Sequence, residues 1–236
     1  HIVASAALYG GSHNLLHYTL SRFGIQTTFV EPGNLAAWKA AVQPNTRLFF
    51  GETVGNPGMN VLNIPEVSKI AHQAGVPLLV DSTLTTPYLI QPFQLGADLI
   101  VHSATKFLSG HGTVIGGVLI DGGSFDYEAS GLFPQLTQAY DGFHQMVFSE
   151  ESSVAPFLLR ARREGLRDFG ACLSPHSAWL ILQGIETLGL RMEKHISNTH
   201  KIIEFLAQHP FVKRVGHPSL QSQGDYALAQ HLLPKG

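Results

Sequence analysis

The alternation of short β-rich runs with helical patterns, sustained from His1 to Ile120, most constrains what this chain can fold into. His1–Ala4, Gln26–Val30, Thr46–Phe50, Val76–Val80, Leu99–His102 and Val114–Ile120 read as strands. Helix-length stretches separate most of them, so hairpins cannot join them, and the pattern predicts an α/β fold with a mostly parallel central sheet. Val76–Val80 is apolar without interruption and is expected to be covered on both faces. Between the strands, Asn14–Phe23 reads as helical, and Asn34 caps a helix over Asn34–Val42. The clearest helix follows Asn63, which can form a capping box with Glu66, while Pro65 sits in the first turn where its missing N–H costs nothing. Val67, Ile70, Ala71 and Ala74 then recur on one face, and Gly75 ends the helix.

The rhythm breaks at residue 121. Residues 121–150 are polar but studded with Phe125, Tyr127, Phe133, Tyr140, Phe143 and Phe148, which predicts a long ordered excursion over the surface. Ser174 and Pro175 open a helix, Ile185, Leu188, Met192 and Ile196 form an apolar stripe in the next, and Phe211–Val215 reads as a strand of a second domain. The expected division is therefore 1–187 and 188–236. A strand at His1 with no lead-in gives the expectation that the chain begins mid-protein.

Composition removes several function classes. Charged residues make up only 14% against hydrophobic residues at 44%, which leaves ample material for a core and rules out disorder. A net charge of −2 gives no electrostatic reason to expect nucleic acid or an anionic membrane. No apolar run approaches the roughly 20 residues that span a bilayer. The single cysteine, Cys172, excludes an internal disulfide and fits a reducing, cytoplasmic compartment. It reads as a small core residue.

Of the seven lysines, six lie in predicted helices or near the end of the chain. Lys106 differs: it follows the strand Leu99–His102 within Ser103-Ala104-Thr105-Lys106, with Gly110 and Gly112 close behind. Ligands of α/β sheets gather at the carboxyl ends of strands. A surface lysine at a turn is the competing reading. Asp81 ends the apolar strand Val76–Val80, where an unpaired carboxylate costs several kcal/mol to bury. It serves either an Asx turn or a bound cation. Asn56, before Pro57, is a turn former or a ligand for a bound group. Tyr9, beside Gly10 and Gly11, is a helix-entry aromatic or a ring that stacks on a flat ligand. An amine, an acid, an amide, an aromatic ring and the hydroxyls of Ser103 and Thr105 at four strand ends match what pyridoxal 5′-phosphate (PLP) needs. His13 and His17, four residues apart, lack a third ligand nearby, and no metal is expected. Arg160, Arg162, Arg163 and Arg167 read as a solvated helix face.

The stretch Asp98-Leu99-Ile100-Val101-His102-Ser103-Ala104-Thr105-Lys106-Phe107-Leu108-Ser109-Gly110-His111-Gly112 resembles the signature of the Cys/Met-metabolism (trans-sulfuration) PLP enzymes. Leu8-Tyr9-Gly10-Gly11, Glu52-Thr53-Val54-Gly55-Asn56-Pro57 and Val80-Asp81-Ser82-Thr83 resemble its other blocks in the right order. Val54 departs from the proline common in the family. The resemblance implies the large domain of the type I aminotransferase-like fold, with the start of a small α/β C-terminal domain. It implies Lys106 as the Schiff-base lysine and Asp81 as the partner of the pyridine nitrogen. Ser103 and Thr105 would then contact the phosphate, Asn56 the phenolic oxygen, and Thr83 would support Asp81 and the ring. Tyr9 would stack on the ring and assist proton transfer.

The excursion at 121–150 and the stretch Arg167–Pro175 resemble the branch that acts on O-acetylhomoserine with sulfide. That branch makes homocysteine as part of methionine and cysteine biosynthesis. A cystathionine γ-synthase, a γ- or β-lyase, or a non-catalytic PLP-fold chain are the alternatives. The family's shared active sites imply a homo-oligomer, dimer or tetramer. They also imply that further phosphate contacts and the arginine for the substrate carboxylate lie outside this chain.

Overall fold

In the computed structural model, which describes residues 1–152 and 155–236, six strands form one sheet. They are β1 (Ile2–Ser5), β2 (Thr27–Val30), β3 (Leu48–Glu52), β4 (Leu78–Asp81), β5 (Leu99–Ser103) and β6 (Gly117–Asp121), in the spatial order β2-β1-β3-β4-β5-β6. The ladders joining β2, β1, β3, β4 and β5 are all parallel, and β6 alone runs antiparallel, against β5. After β1 the chain crosses to one side, and from β2 it returns to the other. The sheet therefore has a switch point between β1 and β3, the place where such folds bind ligands.

The apolar strands are covered on both faces, as their sequence requires. On one face Val3, Phe49, Leu78 and Val80 pack under Trp38 of helix Leu35–Ala40 and Val67 and Ala71 of helix Ile64–Gln73. On the other, Ile2, Ala4 and Phe50 meet Leu8 and Leu16. Asn34 caps the first of these helices, its side chain accepting from the Ala37 N–H at 3.0 Å. Asn63 accepts from the Glu66 N–H at 3.3 Å. Only half of the expected capping box forms, because the Glu66 carboxylate pairs instead with Lys69 at 2.6 Å. Gly75 ends that helix at φ +70°, a conformation glycine adopts without strain.

Several expectations need correction. The strand expected from Val114 begins only at Gly117, because the Gly116 N–H and C=O are both bound by Thr105. The helical run after Tyr9 starts at Gly10 and changes pitch twice, from α through a π turn to a 3₁₀ turn ending at Phe23. Phe211–Val215 forms no strand, and Phe211 is 88% exposed. With no neighbouring strand to complete a ladder, a short β-run gains too little to form. Cys172 is exposed, on a segment that nothing covers. Ile185 belongs to the helix Pro175–Glu186 and is exposed, whereas Leu188 and Met192 are buried on Leu188–Ala207.

The excursion is ordered, with short helices at Tyr127–Ser130, Pro134–Thr137 and Phe148–Glu151. Tyr127, Phe133 and Leu136 form its own small core. The arginines do more than face solvent. Arg160 lies 4.7 Å from the Tyr140 ring centroid, and Arg163 and Arg167 lie 5.5 and 5.3 Å from that of Phe143. Such cation–π contacts tie the following helix to the excursion. Helix Tyr226–Leu232 returns to the first core through Ala229, Leu232 and Leu233. Among the described residues no helix is long and apolar enough to cross a membrane.

One close approach fixes the helix Pro175–Glu186 against the turn that carries Lys106. A Cβ on Gly184 would fall on the backbone carbonyl oxygens of Leu108 and Ser109, which cannot swing aside as a flexible side chain would. Gly184→Ala should therefore cost about 1–3 kcal/mol of stability through overpacking. Urea unfolding curves of the two proteins check this, and an unchanged midpoint would show that the helix simply moves away.

Candidate active site

The parallel register brings the carboxyl ends of β1, β3, β4 and β5 side by side. Each of these strands then delivers one of the residues singled out above. Tyr9, Asn56, Asp81, Thr83, Ser103, Thr105 and Lys106 all line one cavity of about 640 Å³. Tyr9 opens the helical segment after β1 and is 55% exposed, so a face of its ring is free to stack. Asn56 follows β3 in an exposed turn.

Asp81 is the last residue of β4, and its Oδ1 accepts from the Thr83 N–H at 2.8 Å. Thr83 is a bridge as well as a liner, since its hydroxyl oxygen accepts from the Ser103 N–H at 2.7 Å. That bond ties the loop after β4 to the end of β5. Behind Asp81 lies the buried His102, whose Nδ1 has no hydrogen-bond partner among the described residues. Burial holds its imidazole below the usual histidine range, although the Asp81 charge pulls the other way.

Lys106 stands on the turn after β5. The Thr105 hydroxyl is used inside the chain, donating to the Gly116 carbonyl and accepting from the Gly116 N–H. This clip holds the start of the Lys106 turn against the approach to β6. Gly110, at φ +70°, lets the turn close where a Cβ would meet the Arg191 guanidinium. His111 Nδ1 lies 2.6 Å from the Ser109 carbonyl oxygen and so stiffens the same turn.

The charge pattern tests whether such a cavity fits a cofactor with a protonated ring nitrogen and a reactive carbonyl. Among the described residues Lys106 and Asp81 make no ion pair. Among the described residues the side chains of Asn56 and Ser103 make no hydrogen bond either. A lysine, a carboxylate oxygen, an amide and a hydroxyl thus converge on one space with their capacity unspent. That donor set suits PLP.

Three lining residues were not found from the sequence. Arg191 and His195 come from the helix Leu188–Ala207, far along the chain. Arg191 donates to the Gly184 carbonyl at 2.6 Å and to the Thr187 hydroxyl at 3.1 Å. The third is Glu52, the last residue of β3, which is only 8% exposed. Its Oε1 accepts from the Tyr9 N–H at 2.6 Å. Burial raises its carboxyl to about 7; the Asp81 charge adds to this, and the N–H donors of Tyr9 and Asn56 oppose it. A carboxylate ending a buried strand was the available signal, the same one that pointed to Asp81. His13 stacks on Phe29 and on His17, with centroids 4.5 and 5.5 Å apart. Among the described residues no group of three His, Cys, Asp or Glu side chains could hold a metal ion.

A family model described as "Cys/Met metabolism PLP-dependent enzyme" matches residues 1–235. The chain is 46% identical to the O-acetyl-L-homoserine sulfhydrylase of Leptospira meyeri, over all of this chain and 55% of the relative. It is 44% identical to that of Corynebacterium glutamicum, over 98% of this chain and 54% of the relative. The chain thus spans about half the length of these curated relatives. A crystal structure of a putative O-acetylhomoserine (thiol)-lyase from Campylobacter jejuni superposes with a TM-score of 0.94 at 33% identity. It covers all of this chain and 59% of its own, and it contains N'-pyridoxyl-lysine-5'-monophosphate.

Glu52 gives the site a signature in stability. A carboxyl raised from 4.5 to about 7 in the folded chain contributes stability that is complete below the unfolded value and is lost as pH rises through the folded one. The loss is of order 3 kcal/mol. Urea unfolding of the cofactor-free protein between pH 4.5 and 7.5 should show this decline superimposed on the other titrations. E52Q should flatten it. Parallel curves for the two proteins would place Glu52 in an ordinary solvated state.

Proposed function

The chain belongs to the Cys/Met metabolism PLP-dependent enzymes, and on that premise we propose that the whole protein catalyses γ-replacement on O-acetyl-L-homoserine. Sulfide takes the place of acetate and gives L-homocysteine. The observation that carries the reading is the meeting of Lys106 and Asp81, unpaired and opposite in charge, in one cavity at adjacent strand ends. The sulfhydrylase relatives support the choice of substrate.

When bound, PLP supplies an electron sink that lets a proton leave the carbon beside the substrate amino group. The residues of this chain hold that group and manage the protons. Lys106 would hold the cofactor carbonyl through its Nζ, and Asp81 would keep a proton on the ring nitrogen. Ser103 and Thr105 would contact the phosphate. Asn56 would hold the phenolic oxygen, Thr83 would support Asp81 and the ring, and Tyr9 would stack on the ring.

The Lys106 Nζ would take the proton from Cα of the substrate and then one from Cβ. The C–O bond to acetate breaks at Cγ and a C–S bond forms there. The protons then return through the same amine, with the Tyr9 hydroxyl as the auxiliary acid and base. The reading extends to a cytoplasmic homo-oligomer, dimer or tetramer, with sites shared between subunits. The exposed Trp179, Leu182 and Phe169 support buried subunit surfaces. Residues 1–187 are proposed as the PLP-binding large domain, with 188–236 as a linking helix and the start of the C-terminal domain.

Lys106→Ala in the whole protein should abolish the visible absorbance gained on adding PLP, and an unchanged band would refute the lysine assignment. Asp81→Asn should retain PLP but lose turnover by about a hundredfold or more, since the ring nitrogen is no longer held protonated. Near-normal turnover would remove Asp81 from that role. Product analysis settles the substrate. O-acetylhomoserine with sulfide should yield homocysteine, whereas cystathionine made only from cysteine, or a 2-oxo acid and ammonia, would assign the protein to a synthase or a lyase.

A further inference from the structure

We infer that Glu52 is a positioning residue of this site, a single carboxylate at the switch point of the sheet that fixes the Tyr9 loop and the Asn56 loop against each other. The inference rests on reading the cavity as a PLP site and adds to it what sets the relative position of ring and amide.

The argument begins with topology. β1 and β3 are neighbours, but the chain leaves β1 towards β2 on one side and leaves β3 towards β4 on the other. The loops beyond them therefore have no shared ladder. Among the described residues no backbone hydrogen bond joins residues 6–10 to residues 53–58. They are nevertheless pressed together: a Cβ on Gly55 would meet the Ala7 Cβ at 2.7 Å and its carbonyl oxygen at 2.8 Å. Two loops in contact with no backbone bond between them can slide unless a side chain holds them.

Glu52 is placed to do so. Its Oε1 accepts from the Tyr9 N–H at 2.6 Å, and its own backbone, at the last residue of β3, leads directly into the Asn56 loop. An ionised carboxylate is an acceptor with no donor of its own, which is what that N–H requires. Tyr9 and Asn56 are the residues proposed to meet the ring face and the phenolic oxygen. The charged and titratable groups that share the cavity with Glu52 are Asp81, Lys106, Tyr9, Arg191 and His195. Of these, Asp81 stands in register with it on the next strand, and its charge adds to burial in raising the Glu52 carboxyl.

The test is hydrogen–deuterium exchange on the whole protein freed of PLP, for the wild type, E52A and E52Q, followed by PLP titration of each. E52A should speed exchange about tenfold in residues 6–11 and 53–58 while β4 and β5 keep their protection, and should weaken PLP binding about tenfold. E52Q keeps an acceptor oxygen for the Tyr9 N–H and should restore the protection of residues 6–11. Unchanged exchange in E52A, or a loss spread evenly over the sheet, overturns the inference, as does an E52Q that is as loose as E52A. If E52A does not fold, E52Q decides alone: residues 6–11 as protected as in the wild type support the tie, and faster exchange there refutes it. A wild type that binds no PLP while E52A still loosens both loops sinks the proposed function and leaves the tie standing.

Discussion

Everything at this site hangs from the unbroken parallel ladder of β1, β3, β4 and β5. Parallel strands in register end together, so four loops that are remote in sequence start from one line. Glu52 stands opposite Asp81, and Asp81 opposite Val101. A slip of one residue in either ladder would turn an acid from the cavity towards the opposite, apolar face. Val80, fully buried next to Asp81, would be exposed by the same slip. The apolar burial that stabilises the sheet therefore also fixes the aim of the charges, and no separate device is needed to set their register.

Two aspartates show how the fold separates an acid whose oxygens are both engaged from one left half unengaged. Asp98 is buried just before β5, at the opposite end of the strands from the cavity. Its Oδ2 accepts from the Leu78 N–H at 2.8 Å and lies 2.8 Å from His72 Nε2, while Oδ1 takes the Ser124 hydroxyl at 3.4 Å. The hydrogen bond to Asp98 lifts the His72 imidazole above its usual range, so the charge is answered on every side. Asp81 has one oxygen held by Thr83 and no cation beside it among the described residues. Spending half of a carboxylate on the loop fixes its orientation, and leaving the other half free costs stability that only a bound partner can return.

The parts of this architecture legible in the sequence were those decided locally. Apolar runs with helical patterns between them gave the strands and the α/β class, and strand ends gave Tyr9, Asn56, Asp81 and Lys106. The misses had non-local causes. Phe211–Val215 has the composition of a strand but no edge to join, and the pairing after Val114 waits until Gly117 because the Thr105 hydroxyl takes the Gly116 backbone first. Cys172 has the neighbours of a core residue in sequence but nothing above it in space. Arg191 and His195 reach the cavity across some 85 residues from Lys106, a distance over which no spacing rule operates. Glu52 is different: its position at the end of a buried strand is visible in the sequence, but the N–H it holds belongs to Tyr9, 43 residues away.

The turn that carries Lys106 shows why that long-range closure matters. The turn is short, begins at a strand end and includes two glycines at positive φ, Gly110 and Gly112, so by itself it would be mobile. Thr105 clips its start to Gly116. Its far side is closed by the helix Pro175–Glu186, which packs Gly184 onto the Leu108 and Ser109 carbonyls, and by Arg191, which fills the space a Gly110 side chain would need. Arg191 is itself held by the carbonyl of the same Gly184. The turn that carries the lysine is thus held by two helices, Pro175–Glu186 and Leu188–Ala207, that lie far along the chain, so its position depends on a long-range closure and not on the sequence of the turn itself.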